Sequence, residues 1–266
     1  MTTDFALPSS QALAERVRAL VARLDLGPDG LRAPVHIPGA FADLVAGFDI
    51  DAFEAEATAS HRLTMARTDG YVGDTMVMYQ GDTSYHAWFD EDRDRVAARH
   101  NDPRAWAATA TLPLPKWALA VQEALVLQLF DRSAFGWSTE MFYSFQPSAS
   151  MGLHADNDDV FTVQLFGAKH WLVGPVDLGD LHRHEIAGHL HRAGPEDTWH
   201  FDPGKAPTLP APWHVTVRAG DFLATPAFAL HHVTAAADPV RSVAFTVSLC
   251  REEVWRRFVD DRTGGV

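Results

Sequence analysis

The hydrophobic positions change their period part-way along the chain. Between Ser10 and Asp25 (SQALAERVRALVARLD), Leu13, Val17, Leu20, Val21 and Leu24 recur at helical spacing. This predicts an amphipathic helix that Ser10 can cap and Gly27 can end. A second, short helix is expected from Asp51 to Ser60. A third is expected from Lys116 to Phe130, where Trp117, Ala120, Val121, Ala124 and Leu125 form one apolar face. Thr75 to Tyr79 (TMVMY), bounded by Gly73 and Gly81, reads as a strand. From Gln80 to Pro113 the chain is polar and weakly periodic, and no definite element is expected there.

After Gly136 the texture becomes that of β-structure. STEMFYSF, GLHAD, VFTVQLF, KHWLVG, WHVTVRAG, DFLATP, HHVTA and SVAFTVSL succeed one another, punctuated by Gly, Pro, Asp and Asn. Short strands with such breaks predict an antiparallel sandwich or barrel. The His-, Gly- and Pro-rich insert between Gly174 and Trp213 is expected to be a long loop at one end of it. Arg251 to Asp261 reads as a closing helix. There is no internal repeat and no low-complexity tract, so residues 1–266 are expected to form one domain. Its parts are a mostly helical segment at 1–135, a β core at 136–250 and a C-terminal helix at 251–266.

Composition narrows the function classes. A net charge of −13 speaks against the nucleic-acid backbone as the main partner, since binding it requires a basic face. The lone Cys250 excludes an intramolecular disulfide and a Cys-rich zinc site. The opening MTTDFALPSS has no secretory pattern. KWALAVQEALVLQLF, the most apolar long run, is broken by Gln122 and Glu123 and too short to span a bilayer. A cytoplasmic setting, with no membrane partner, is the default expectation.

Within MGLHADNDDVFTVQLFGAKHWLVGP, His154 and Asp156 stand two apart, and strand residues two apart project from one face. One imidazole and one carboxylate make two-thirds of the facial set that holds Fe(II) while leaving positions open. His231 or His232, in TPAFALHHVT, supplies a third candidate. An H-x-D pair alone is more often an ordinary hydrogen-bonding pair. Its placement on β-runs that one barrel would bring together, with Lys169 on the next strand, is what raises its interest. An inward Lys169 would want a carboxylate ligand, because an unpaired buried ammonium is costly. An outward one would be a common device of edge strands.

HADNDDVFTVQLFGAKHWLVGP resembles the H-x-D-x-x-D-V-F-x-x-Q-x-x-G-x-K/R-x-W-x-V segment of the cupin-like Jumonji-C oxygenases, particularly their ribosomal-oxygenase branch. GDFLATPAFALHHV is similar to that family's G-D-x-L-x-x-P-x-x-x-x-H, with Gly220, Asp221, Leu223 and Pro226 in place. The resemblance implies a mainly β fold with α, a double-stranded β-helix (cupin or jelly-roll) core with N-terminal helices packed on it. It implies Fe(II) bound by His154, Asp156 and a distal histidine. Counting from Pro226 puts that ligand at His231, although strand phase alone does not exclude His232. Lys169 would pair with the distal carboxylate of 2-oxoglutarate, and O2 would be the oxidant. Tyr143, Thr162 and Gln164 are expected to flank the cosubstrate from their strand positions, and Asp159 to play a supporting part.

The activity so implied is hydroxylation of an amino-acid side chain in a protein, a peptide or a small molecule. N-methyl demethylation and a non-oxidative metal-binding cupin are the alternatives, and a homodimer is compatible with the resemblance. The sequence departs from the ribosomal-oxygenase branch in two ways. It lacks the glycine-rich run before the motif, and that branch's C-terminal region is not expected after Leu249. LHRHEIAGHLH, in the insert, gathers His182, His184, Glu185, His189 and His191, and is read as a polar loop rather than a second metal site. Trp199 and Trp213 near it are read as packing.

Overall fold

The computed structural model describes residues 8–28, 30–53, 55, 63–67, 106–110, 116–129, 134–144, 153–176, 190–193, 198–201, 209, 212–236 and 241–251. In chain order the elements begin with α1 (Ser10–Val21), β1 (Leu26–Gly27), β2 (Gly30–Leu31), β3 (Val35–Ile37), α2 (Ala42–Val45), β4 (Leu63–Arg67), β5 (Trp106–Ala110) and α3 (Lys116–Leu129). They continue with β6 (Ala134–Ser144), β7 (His154–Ala155), β8 (Asp159–Phe166), β9 (Ala168–Val176), β10 (Leu190–Ala193) and β11 (Thr198–Phe201). The last four are β12 (Trp213–Arg218), β13 (Phe222–Thr225), β14 (Ala229–Ala235) and β15 (Ser242–Arg251).

Two antiparallel sheets form the walls of a jelly roll. The larger runs β3-β13-β8-β15-β6-β5-β4 and the smaller β10-β11-β7-β14-β9-β12. Consecutive strands change sheet between β7 and β8, β8 and β9, β12 and β13, and β13 and β14, which is the winding of a double-stranded β-helix. Alternation along each strand divides the larger sheet into two faces. Phe161, Val163, Leu165, Phe222, Ala224, Val243, Phe245, Val247 and Leu249 face outward into one core with Leu13, Val17 and Leu20 of α1 and Trp117, Val121 and Leu125 of α3. The residues one step out of phase (Thr162, Gln164, Leu223, Thr225, Ala244 and Thr246) face the interior. There Leu223 packs with Trp171, Val173, Val217 and Ala229 of the smaller sheet.

The tight crossings between sheets depend on backbone chemistry. Gly220, at φ +87°, turns β12 into β13, and a Cβ there would lie 2.5 Å from Ala42 Cα. Asp221 then accepts hydrogen bonds from Arg218 N (2.8 Å) and Gly39 N (2.8 Å), and its Oδ2 lies 2.9 Å from His36 Nε2. The Gly-Asp pair of the second motif is therefore a turn that ties β3 to the sheet.

Several expectations need correction. The cap of α1 is Ser9, whose side chain accepts from Ala12 N, and the helix ends at Val21 rather than reaching Asp25; Gly27 lies in β1. The described part of residues 1–135 is not all helical. Beside the helices it places β3, β4 and β5 in the larger sheet, where tertiary pairing overrides the weak local signal of LTMAR and WAATA. The insert is not all loop, because β10 and β11 pair and extend the smaller sheet beyond β7. Of the expected helix from Asp51 to Ser60, residues 51–53 and 55 are helical, and the rest lies outside the described residues. The expected strand at Thr75 to Tyr79 also lies outside them. Arg251 ends β15 instead of opening a helix, and residues 252–266 lie outside the described residues.

Candidate metal centre

The centre forms where β7 leaves the smaller sheet and β14 returns to it. His154 and His231 are directly paired across these strands, so both imidazoles share a face. Their ring centroids stand 4.0 Å apart at 57°. Asp156 does not sit on the strand, as its spacing from His154 suggested. It lies just past β7, in the crossing to β8, with its backbone carbonyl accepting from Phe228 N at 2.6 Å. The three side chains nevertheless converge: one ligand atom from each of His154, Asp156 and His231 lies within 4.8 Å of the others.

The local chemistry orients these donors. His231 Nδ1 lies 2.9 Å from Ala229 O, an acceptor with no proton to give, so the N–H sits on Nδ1 and the Nε2 lone pair is left for a cation. That Nε2 is 3.5 Å from Asp156 Oδ2. Both histidines are buried, whereas 22 % of the Asp156 side chain is exposed, leaving one open side to the cluster. His232 is the next residue along β14 and therefore belongs to the opposite face. Burial, and secondarily the neighbouring His231, lower its pKa.

Asp159 is buried and braces this corner rather than contributing a ligand. Its Oδ1 accepts from Ala227 N at 3.0 Å and its Oδ2 from Leu31 N at 3.1 Å. The turn that carries β14 is thus held both to the β7–β8 crossing and to β2. Phe228 in that turn has φ +61°, a strained value for a residue with a side chain.

Lys169 is buried in β9, in register with Ala235 of β14 and Val217 of β12. Its Nζ stands 5.5 Å over the Phe142 ring. Among the described residues no carboxylate pairs with it, and burial alone lowers its pKa from 10.5 to about 8. Trp171, two residues on and so on the same face, stacks on His231 with centroids 5.7 Å apart at 23°. Period two along β9 links Lys169, Trp171 and Val173, a signal that could have pointed to Trp171 from sequence.

The other expected flanking residues divide. Thr162 faces the interior, and its buried Oγ1 has no hydrogen-bond partner among the described residues. The same holds for Thr225 Oγ1, Trp171 Nε1 and Gln164 Oε1. The amide nitrogen of Gln164 is committed elsewhere, donating to Phe166 O (2.6 Å), Ser242 Oγ (2.7 Å) and Val243 O (3.0 Å). This clamps the point where the β8–β15 register shifts. Along β6, Tyr143 pairs with Val243 and Phe142 with Ala244, and the Phe142 ring is the one that Lys169 Nζ overlies.

A jelly roll with two histidines and a carboxylate converging at one mouth defines a class of metal-site cupin-type proteins. More narrowly, the family model described as the JmjC domain matches residues 121–256, just over half of the chain, and the chain belongs to that family. No curated protein sequence matches it. Among solved structures it resembles Escherichia coli ycfD, with 16% identity, a TM-score of 0.52, and 82% of this chain covered against 49% of that one. It also resembles YcfD, described as a ribosomal oxygenase from the same organism, in complex with cobalt and succinic acid (15%, 0.51, 81% and 47%). A third likeness is to YcfD in complex with cobalt and 2-oxoglutarate (15%, 0.51, 88% and 54%). These likenesses show the fold, and the chain spans about half the length of those structures.

Proposed function

We propose that the protein is an Fe(II)- and 2-oxoglutarate-dependent oxygenase that hydroxylates a C–H bond of an amino-acid side chain. That side chain would belong to a protein, a peptide or an amino-acid-derived small molecule. The observation that carries the reading is the convergence of His154, Asp156 and His231 within 4.8 Å, with His231 Nε2 left free to ligate. Two neutral imidazoles and one carboxylate on a single face suit Fe(II) and leave three positions for other ligands. The donor set therefore fits the metal, and the buried, carboxylate-free Lys169 fits an anionic cosubstrate in the same barrel. The cobalt, succinate and 2-oxoglutarate complexes of YcfD support the same assignment.

In this reading each residue has a defined task. His154, Asp156 and His231 hold the metal, and Ala229 O keeps His231 in its ligating tautomer. Lys169 binds the distal carboxylate of 2-oxoglutarate and retains its proton in doing so, since the anion offsets the cost of burial. Trp171 packs one face of His231 and, with Leu223 and Val173, keeps water from that side. When bound, Fe(II) and 2-oxoglutarate would let O2 oxidise an unactivated C–H bond, one oxygen atom passing to the substrate and the other into succinate as carbon dioxide is released.

The test is anaerobic addition of Fe(II) and 2-oxoglutarate to metal-free protein, followed by air. A visible charge-transfer band and then succinate are expected, both absent in Asp156→Ala. Unchanged succinate formation in that variant would overturn the metal assignment. A site that takes zinc and gives neither signal would support a non-oxidative cupin. Formaldehyde released in step with succinate would mark demethylation instead of stable hydroxylation.

A further inference from the structure

The wall of the barrel that carries Lys169 also holds a buried donor with no acceptor. Along β9, Lys169, Trp171 and Val173 alternate onto the interior face, and their partners on β14 are Ala235, Val233 and His231 in that order. Trp171 therefore occupies the row between the lysine and the metal ligand, two rows that lie about 13 Å apart along the strands. The indole is 7 % exposed, and its ring stacks on His231 with centroids 5.7 Å apart. Stacking uses the face of the indole and leaves its edge free. Nε1 has no hydrogen-bond partner among the described residues, although a buried indole N–H is ordinarily paired. A phenylalanine would make the same stack without leaving a donor unpaired.

We propose that Trp171 binds the cosubstrate, its indole N–H donating to the distal carboxylate that Lys169 pairs with. The inference rests on the oxygenase reading above and adds to it a residue that sets cosubstrate specificity. A buried ion pair is favourable only when further hydrogen bonds satisfy the oxygen lone pairs left over, and a carboxylate has about four such acceptor sites. Lys169 meets that demand from one direction only. Among the other unpaired buried atoms, Gln164 Oε1 is itself an acceptor and cannot serve a carboxylate. The hydroxyls of Thr162 and Thr225 belong to the opposite, larger sheet. Trp171 is the neutral donor on the same strand and face as Lys169, in the row that a ligand reaching from metal to lysine passes. Its two surfaces then have separate tasks, the ring face holding His231 and the N–H edge holding the ligand. Because the edge donates and cannot accept, it favours an anionic end group over an apolar one.

The experiment measures binding and does not depend on turnover. Co(II)-loaded protein is titrated calorimetrically with 2-oxoglutarate and with 2-oxovalerate, which carries a methyl group in place of the distal carboxylate. Trp171→Phe keeps an aromatic ring against His231 and removes the N–H. It is expected to weaken 2-oxoglutarate by roughly tenfold or more, the loss typical of a hydrogen bond to a charged group, and 2-oxovalerate by less than about threefold. Benzothienylalanine at position 171, which keeps the indole's shape without its N–H, should reproduce the selective loss. The visible spectrum of bound Co(II) and circular dichroism check that site and fold survive in each variant. An undiminished preference for 2-oxoglutarate in both variants, or an equal loss for the two acids, would overturn the proposal. Lys169→Met separates this from the reading beneath it. A wild type that binds the two acids alike, with Lys169→Met having no effect, would sink the cosubstrate assignment and the proposal with it. A preference lost in Lys169→Met but intact in Trp171→Phe would sink the role of Trp171 alone.

Discussion

Lys169 offers the sharpest energetic test of the interior. At about 1.4 kcal/mol for each pH unit, a pKa lowered from 10.5 to about 8 means that the buried ammonium destabilises the ligand-free fold by about 3 kcal/mol at neutral pH. The Phe142 ring, 5.5 Å from Nζ, offsets about 0.5–2 kcal/mol of that through cation–π attraction. Lys169→Met keeps most of the volume and removes the charge, so the ligand-free variant should be more stable than wild type by about 1–3 kcal/mol at pH 7. The pH dependence carries a definite sign. The unfolded chain keeps this proton up to 10.5 while the folded chain gives it up near 8, so wild-type stability rises between about 8 and 10.5. The variant does not share that rise, and its advantage should shrink across the same window.

Urea unfolding of metal-free protein from pH 6.5 to 10.5 measures this directly. Saturating metal and 2-oxoglutarate should reverse the order, because the anion pairs with Lys169 in the wild type alone. The affinity for 2-oxoglutarate should also fall as pH rises above about 8, by up to about tenfold per pH unit. A Lys169→Met variant that is less stable than wild type at pH 7, or whose stability difference is flat across the window, would refute an unpaired buried ammonium.

The geometry sets three further outcomes. His231→Ala should abolish metal-dependent succinate formation, whereas His232→Ala, on the opposite face of β14, should change it by less than about threefold; equal losses would show that strand phase does not select the ligand. Asp159→Ala removes the acceptor of Leu31 N and Ala227 N. It should cost about 2–4 kcal/mol in chemical denaturation and weaken Co(II) binding, because the turn leading to His231 is no longer braced. Gly220→Ala combines φ +87° with a Cβ 2.5 Å from Ala42 Cα and should cost at least about 2 kcal/mol in the same assay; a neutral result would mean that the β12–β13 turn relaxes freely.

Residues that share a strand were legible together in the sequence, and residues on different strands were not. Period two within β9 relates Lys169 to Trp171, and the helical faces of α1 and α3 could be counted position by position. The relation between strands is set by pairing, and pairing contains irregularities that no count reveals. Gln164 clamps one register shift between β8 and β15. Another falls between Ala229 and His231, where two steps along β14 match three along β9, from Val173 to Val176. Pro175 lies in that stretch of β9, a position where a ladder donor is missing.

The same logic explains why the centre lies where it does. His154 belongs to a strand of two residues, too short to impose a direction on Asp156, which sits in the crossing beyond it. Convergence is instead imposed from three sides. Asp156 O receives Phe228 N, Asp159 receives Ala227 N, and His231 pairs directly with His154. The first two contacts tie the β7–β8 corner to the β13–β14 turn and the third joins β7 to β14, so the two imidazoles and the carboxylate are carried along. The H-x-D spacing is thus not a strand pattern that happens to bind metal. It marks a chain leaving one sheet for the other, at the point where the returning strand delivers its histidine.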